Sequence, residues 1–247
     1  MLVQQTIDNL KKLYLSGMVE AYQNPTSDSL SLSFDERFGL IVDFEWTTRN
    51  NRKLARLLKE ARLRLPACLE DIDYHHSRGL DRSLMVEFKS LRWLSAYQNI
   101  FISGPTGVGK TYVACALGNL VCRHGFKVRY IRVSSLLNDL NLAKADGSYH
   151  RVRQGLARMN LLILDDWGVS PFTQLESREL LEIIEDRFQT GSTIITSQVP
   201  VDSWHGLFAD PTVADAILDR LVHNAHHVAM YGESMRKLIH AVSKGES

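Results

Sequence analysis

The stretch that most constrains the fold of this chain is GPTGVGKT, Gly104 to Thr111, which matches the phosphate-binding loop pattern G-x-x-x-x-G-K-[ST] at every fixed position. A short apolar run, Asn99 to Ser103, precedes it and is typical of a buried strand, and a helical pattern follows it and closes at Gly125. A phosphate loop needs this order of strand, loop and helix, because backbone N–H groups must converge on an anion at the start of the helix. A glycine-rich turn that happens to contain a lysine is the alternative, but it does not account for the flanking strand and helix.

The residues of this loop predict a nucleotide site. Lys110 is expected to reach the outer phosphates as a catalytic residue, and the Thr111 hydroxyl is expected to ligate Mg²⁺. We therefore predict ATP and Mg²⁺ as cofactors. The predicted nucleotide-contacting residues are Gly104, Pro105, Thr106, Gly107, Val108, Gly109, Lys110, Thr111 and Tyr112.

A second acidic element follows in LLILDD, Leu161 to Asp166. A fully apolar strand is typical of a parallel sheet, whose carboxyl edge is where ligands bind in open α/β folds. Asp165 is predicted to hold the metal, and Asp166 to orient or polarise the attacking water. The alternative is a pair of solvated acids in a turn before Gly168, and the presence of the phosphate loop earlier in the chain argues against it.

Three more polar residues are candidates for catalysis. Gln198 follows the apolar run Ser192 to Ser197, so its amide would either position water near the γ-phosphate or cap the end of a strand. Arg220 and Arg236 are candidates to neutralise charge that develops on the γ-phosphate. Because surface arginines are common, a plain surface role is the alternative for both.

A basic segment stands out against a formal net charge of +1. Arg49 to Arg64 contains seven basic residues and one acid, Glu60. A run of nearly one sign predicts binding to DNA phosphates with little sequence specificity, although a solvated helix surface is the alternative. The predicted DNA-binding residues are Arg49, Arg52, Lys53, Arg56 and Lys59, with Lys144, Arg151 and Arg153 as further contacts.

The order of patterns predicts the domain organisation. Residues 1–73 are expected to form a small all-α DNA-binding domain, with one helix from Thr6 to about Tyr22 and another from Phe34 to Leu65, ended by Pro66. Residues 74–247 alternate strands and helices, which predicts a parallel five-stranded sheet flanked by helices and a final helix beginning at Ser234.

The composition favours a cytoplasmic protein. The chain shows neither an N-terminal signal pattern nor an apolar run long enough to cross a bilayer. Its three cysteines, Cys68, Cys115 and Cys122, lack metal-ligand spacing, and Cys115 and Cys122 are expected to be reduced core residues. We therefore expect no membrane partner.

The chain resembles the AAA+ ATPases of the helicase-loader clade, and more narrowly the IstB-like helper ATPases of bacterial insertion-sequence transposition. The resemblance covers nearly the whole chain. It is carried by FDERFGLIVDFEWTTRNNRKLARLLKEARL, LEDIDY with the following LDRSL, GPTGVGKT, LLILDDWG, TSQVP and LDRL.

The resemblance implies roles that the residues alone leave open. It implies that the protein binds duplex DNA largely without sequence preference, assembles on it as a homo-oligomeric ring or spiral when ATP is bound, and recruits or activates a cognate transposase. Arg220 resembles the arginine finger that acts on a neighbouring subunit, Arg236 the sensor II arginine, and Gln198 the sensor I residue. Asp166 stands where most AAA+ proteins carry Glu, and Gln198 where the clade usually carries Asn, so slow hydrolysis stimulated by DNA or a partner is expected.

Three competing functions share parts of these patterns. A replicative helicase loader has the same ATPase core, but it should favour single-stranded DNA. A small-molecule kinase has the same loop, but it needs a lid and an acceptor pocket. A non-catalytic DNA clamp would fit the shorter Asp166 side chain and would show no ATP turnover.

Overall fold

The computed structural model describes residues 2–25, 31–74, 76 and 78–235. Arg236 and nearly all of the predicted final helix lie outside this range, so the role proposed for Arg236 stays a prediction.

The centre of the fold is a parallel sheet, as predicted. Its strands are β1 Asn99–Ser103, β2 Val128–Arg132, β3 Leu161–Trp167, β4 Ser192–Ser197 and β5 Ala225–Ala229. They lie in the order β2-β3-β4-β1-β5, and every neighbouring pair is parallel. The apolar run of β3 is buried throughout, because a parallel sheet is covered on both faces.

Helices connect these strands and cover the sheet. In chain order the helices are α1 Leu2–Lys12, α2 Ser16–Gln23, α3 Phe34–Ala61, α4 Arg82–Lys89, α5 Arg92–Ser95, α6 Lys110–Arg123, α7 Val133–Ala145, α8 Tyr149–Ala157, α9 Gln174–Arg187 and α10 Pro211–Val222. Short 3-10 helices span Leu69–Asp71 and Val201–Leu207. A capping box of Thr173 and Glu176 is present at the start of α9.

The two faces of the sheet are packed by different helices. On one face, Leu162 and Leu164 of β3 join a core cluster with residues of α7, α8, α9 and α10. Ile163 points to the other face, because successive side chains of a strand alternate. There it meets α6, where a Cβ on Gly118 would lie 2.8 Å from Ile163 Cδ1. Both faces of the sheet are therefore packed against helices, which holds the residues at its carboxyl edge in place.

The chain divides into two compact units, Met1–Arg56 and Leu57–Ser247. This division lies earlier than the predicted boundary between residues 73 and 74, so residues 57–73 belong with the sheet-containing unit. The separate roles predicted for the two domains stay predictions.

The N-terminal helices differ from the predicted pattern. The single helix expected from Thr6 to Tyr22 is two helices, because the chain turns at Tyr14, whose φ of 58° lies in the left-handed region. The long helix α3 ends at Ala61 rather than at Pro66, since Arg62 has a φ of 51°. Helical φ values are negative, so a left-handed residue ends a helix wherever it occurs.

Within the part of the chain that the structure describes, no helix has the length and apolar character needed to cross a bilayer.

Candidate nucleotide site at the carboxyl edge of the sheet

The phosphate loop leaves the end of β1 and is held there by the last residue of β4 and by the residue that follows β5. Gly104 N donates to Ser197 O at 3.2 Å, and Met230 N donates to Ser103 O at 2.7 Å. A Cβ on Gly104 would lie 2.1 Å from Met230 O, and the φ of Gly104 is 148°, so only glycine fits here. The glycine pattern of the sequence therefore reflects close backbone packing around the loop.

Lys110 begins α6 and lies inside the loop. Its Nζ donates to Gly104 O at 2.6 Å and to Pro105 O at 2.8 Å, and the residue is 9% exposed. Burial lowers the pKa of Lys110, and the nearby Asp165 and Asp166 carboxylates oppose that shift. A compact cation held among the turns of the loop is the group that anionic phosphates require.

Asp165 lies near the carboxyl end of β3 and is completely buried. Thr111 Oγ1 lies 2.9 Å from Asp165 Oδ1 and 3.2 Å from Oδ2. Two further hydroxyls donate to the same carboxylate, Tyr130 Oη at 2.5 Å and Thr196 Oγ1. A buried carboxylate needs such partners, because an unsatisfied charge is costly in the protein interior.

The pairing of Thr111 with Asp165 brings together the two residues predicted to hold the metal. Hydroxyl and carboxylate oxygens are the hard ligands that Mg²⁺ prefers, and they lie beside the loop that would carry phosphates. The donor set therefore fits Mg²⁺.

Asp166 is set apart from Asp165 by the backbone. Its φ of 62° is left-handed, and it lies at an irregularity in the β3–β4 pairing between Leu164 and Trp167. Its side chain is 40% exposed, and Oδ2 lies 3.5 Å from Arg132 Nε. One acid is thus buried beside Thr111 and the other reaches solvent, and the separate roles predicted for them stay predictions.

Gln198 reaches the phosphate loop. Thr106 Oγ1 donates to Gln198 Oε1 at 2.7 Å. The structure therefore brings Gln198 to the phosphate loop, and its predicted role in positioning water stays a prediction.

Arg220 lies elsewhere. It is in the last turn of α10, where Nη2 is 2.9 Å from Glu185 Oε1 of α9 and Nη1 donates to Ala216 O. It lines a cavity of about 200 Å³ with Asn99 and Thr193, which stand at the amino ends of β1 and β4. Arg220 and the phosphate loop are therefore at opposite edges of the sheet.

Comparison with known proteins agrees with this geometry. The family model for IstB-like ATP binding proteins matches residues 8–243. The chain belongs to this family.

Individual relatives of this IstB-like chain are proteins of insertion sequences. It is 48% identical over 239 residues to an insertion sequence ATP-binding protein of Sinorhizobium fredii, covering 96% of this chain and 98% of that protein. A relative in an insertion sequence of Mycobacterium tuberculosis is 34% identical over 230 residues, covering 92% of each chain. These relatives are similar along nearly their whole length.

A solved structure supports the AAA+ fold. The DnaC helicase loader superposes with a TM-score of 0.55 at 18% identity, covering 66% of this chain and 96% of that one. At this identity the likeness shows the fold. The predicted family and fold class are thus confirmed.

The basic residues predicted to bind DNA divide into two groups in this IstB-like protein. On α3, Lys53 and Lys59 are exposed, Arg52 Nη1 donates to Ser16 Oγ at 2.5 Å, and Arg49 Nε lies 2.5 Å from Glu45 Oε1. Arg56 is exposed on the same helix.

The second group is on α7 and α8, and it is largely paired with acids of α9. Lys144 forms an ion pair with Glu179, and Arg153 pairs with Glu182 at 2.5 Å and Asp186 at 2.8 Å. Arg151 is exposed. The charges of Lys144 and Arg153 are balanced within the chain, so they are weaker candidates for DNA contact than the lysines of α3.

Several residues near the site were not expected from the sequence. Tyr130 and Thr196 donate to Asp165, and Arg64, counted in the basic segment, lies 3.7 Å from Asp165 Oδ2. Burial and the hydrogen bond to Asp165 raise the pKa of Tyr130. The position of Tyr130 near Asp165 could be predicted in part, because β2 pairs in parallel with β3 and both strands end at the same edge of the sheet.

Arg78 is a further unexpected residue. It is 6% exposed, and it donates to Val108 O of the phosphate loop at 3.2 Å and to Asp73 O at 2.8 Å. Burial lowers the pKa of Arg78. Arg78 belongs to a mixed linker in the sequence, and no pattern in that linker predicts its contact with the phosphate loop.

Proposed function

We propose that this protein is an ATP-hydrolysing regulator of insertion-sequence transposition that assembles on target duplex DNA and recruits or activates the partner transposase. The observation that carries the ATPase part is the convergence of Lys110 with the Thr111–Asp165 pair at one sheet edge. The link to transposition is supported by relatives that belong to insertion sequences.

The residues of the site divide the chemistry among them. Lys110 binds the outer phosphates, and Thr111 and Asp165 hold Mg²⁺, which neutralises phosphate charge when bound. Asp166 accepts a proton from water as the water oxygen attacks the γ-phosphorus, and Gln198 orients that water. The bond to the β–γ bridging oxygen breaks, and ADP and phosphate leave.

Arg220 acts on the nucleotide of a neighbouring subunit in this proposal. Its position supports this role, since it lies at the amino edge of the sheet while the phosphate loop lies at the carboxyl edge. An arginine supplied by a neighbour makes ATP hydrolysis depend on assembly. The assembly is a homo-oligomeric ring or spiral around DNA, and Arg236 contributes from the same subunit as the nucleotide.

DNA binding is assigned mainly to α3. Its exposed lysines, Lys53 and Lys59, face no acid in the contacts that the structure describes, whereas Lys144 and Arg153 do. Contacts to phosphates position a protein on DNA without reading its sequence. Binding is therefore expected to be largely non-specific and to weaken steeply with salt.

Phosphate release tests the enzymatic part of this proposal. We expect slow turnover by the wild-type protein that rises when duplex DNA or the transposase is added. The Lys110→Ala variant should show none, while Lys127→Ala, which removes an exposed lysine before β2, should resemble the wild type. Equal turnover by the wild type and Lys110→Ala would exclude this site as the source of activity.

A helicase loader is the second candidate function, favoured by the structural likeness to DnaC. The two functions differ in their preferred DNA. Fluorescence anisotropy with duplex and single-stranded oligonucleotides of equal length separates them. Tighter binding to duplex supports the transposition regulator, and tighter binding to single strands supports the loader.

A further inference from the structure

The metal-binding carboxylate is linked to the basic segment through Arg64. Arg64 Nη1 lies 3.7 Å from Asp165 Oδ2, within the range of an ion pair. Tyr130 donates to the same Asp165 oxygen at 2.5 Å. One carboxylate oxygen is therefore bound from two sides by side chains outside the phosphate loop.

The backbone around Arg64 is fixed to the nucleotide-binding unit. Arg129 of β2 donates to Glu60 O at 3.4 Å, near the end of α3. A Cβ on Gly118 of α6 would lie 2.9 Å from Leu63 Cδ2, so Leu63 packs closely on the helix that begins with Lys110. Arg64 thus stands where the basic segment meets both β2 and the phosphate-loop helix.

The side chain of Arg64 nevertheless remains accessible. Its relative exposure is 36%, whereas that of Asp165 is 0%. The guanidinium can therefore leave the carboxylate for solvent or for an anion near the end of α3 without unfolding the site. The partly exposed Arg64 guanidinium can therefore interact either with the Asp165 carboxylate or with a second anionic group.

We propose that Arg64 is a positioning residue that is shared between Asp165 and DNA phosphate, and that it couples metal-nucleotide binding to DNA binding. The proposal rests on the proposed function. A divalent cation at Asp165 repels the Arg64 guanidinium, because like charges compete for one carboxylate. Arg64 released in this way is attracted to DNA phosphate, and DNA that holds Arg64 leaves Asp165 free for the metal.

This sharing sets the sign of the coupling. Mg²⁺-ATP tightens DNA binding, and DNA tightens Mg²⁺-ATP binding by the same factor, since coupling between two binding sites is reciprocal. Without a divalent cation, ATP changes the affinity for DNA little through Arg64, because nothing displaces Arg64 from Asp165.

The first experiment measures the Mg²⁺ concentration that gives half-maximal binding of a fluorescent ATP analogue in the absence of DNA. Arg64→Ala should require less Mg²⁺ than the wild type, because a competing cation is gone. Nucleotide binding in EDTA should match that of the wild type, which shows that the fold and the phosphate loop are intact. A requirement that is unchanged or increased contradicts the proposal.

The second experiment measures the coupling factor, which is the ratio of duplex DNA affinities with and without Mg²⁺-ATP. The factor should fall at least about fivefold in Arg64→Ala, a typical size for coupling between sites. Lys59→Ala is the matched control. It removes an exposed charge of α3, so DNA affinity should fall while the coupling factor stays as in the wild type.

Arg64→Lys separates charge from packing, since it keeps the cation and should retain part of the coupling. Equal coupling factors in Arg64→Ala and the wild type would overturn the role of Arg64 while leaving the proposed function intact. A wild-type factor of one would overturn both, so the two failures are distinguishable.

Discussion

The two edges of the parallel sheet carry different chemistry. At the carboxyl edge, Lys110 Nζ donates to a carbonyl of the phosphate loop, Thr111 is hydrogen-bonded to Asp165, and Gln198 reaches the loop through Thr106. At the amino edge, Arg220 pairs with Glu185 and lines an open cavity. The proposed role of Arg220 on the nucleotide of a neighbouring copy rests on this separation of the two edges.

Two arginines at the amino edge of the sheet differ in the exposure and the hydrogen bonds of their side chains. Arg187 is 2% exposed and donates to the carbonyls of Leu156, Met159 and Ser192. Burial lowers the pKa of Arg187 to about 10. Arg220 has only one carbonyl and one half-exposed acid as partners in the described part of the chain, and its side chain is 25% exposed. Arg187 therefore has a structural role within the chain, whereas the Arg220 side chain is partly accessible.

The largest expected effect tests the amino edge. Arg220→Ala should lower ATP turnover about a thousandfold, as loss of an arginine finger does, while ATP affinity stays unchanged. Arg158→Ala removes an exposed arginine that precedes β3 at the same edge and should leave turnover intact. Phosphate release and equilibrium nucleotide binding are the measurements.

Mixing subunits sharpens this test. Arg220→Ala subunits keep a complete phosphate loop and Asp166, and Asp166→Asn subunits keep the arginine and the ATP-binding residues but lack the proton acceptor. A mixture of these two inactive variants should recover turnover if Arg220 acts between subunits. Recovery would not occur if Arg220 served its own subunit, and the comparison of the two edges would then fail.

The next effect tests the carboxyl edge. Asp165→Asn should lower Mg²⁺-dependent turnover at least about a hundredfold, because the amide is a weaker metal ligand than the carboxylate. Nucleotide binding in EDTA should change little. Asp202→Asn, which alters an exposed acid, is the control. If turnover in Asp165→Asn equals that of the control, Asp165 is not a metal ligand.

A smaller effect is expected for Gln198→Ala. The variant loses the hydrogen bond with Thr106 Oγ1, and a neutral hydrogen bond of this kind corresponds to a change of about two- to tenfold. The loss should appear in turnover at saturating ATP rather than in ATP affinity. A change confined to affinity would assign Gln198 to loop packing instead.

The smallest effect concerns the helix that joins the two edges. Cys115 and Cys122 are buried in α6, and burial raises the pKa of both thiols, that of Cys122 to about 11. A raised pKa leaves less thiolate at pH 8, so both should react more slowly with a thiol reagent than the partly exposed Cys68. Equal rates for the three thiols, followed by mass spectrometry, would contradict the packing of α6.

The elements that the sequence predicts best are those fixed by local pattern. The phosphate loop, the apolar strand β3 and the Thr173–Glu176 capping box each depend on residues close together in the chain. Such patterns determine structure through backbone geometry and burial, so they can be recognised without knowing the fold.

What the sequence leaves open depends on contacts between distant segments. Arg64 belongs to a basic run, yet it reaches Asp165, and Arg153 is balanced by acids of α9 that no local pattern links to it. The left-handed turn at Arg62, which ends α3 before Pro66, is likewise set by packing. Charge patterns therefore predict which residues are basic, but not which of them are free to bind DNA.

The central claim is that ATP at the carboxyl edge decides whether subunits assemble on DNA. Sedimentation velocity with duplex DNA tests it directly, using ATP, ADP or no nucleotide with the wild type and with Lys110→Ala. The account predicts large complexes only for the wild type with ATP. Complexes of equal size with ADP, without nucleotide, or with Lys110→Ala would contradict it.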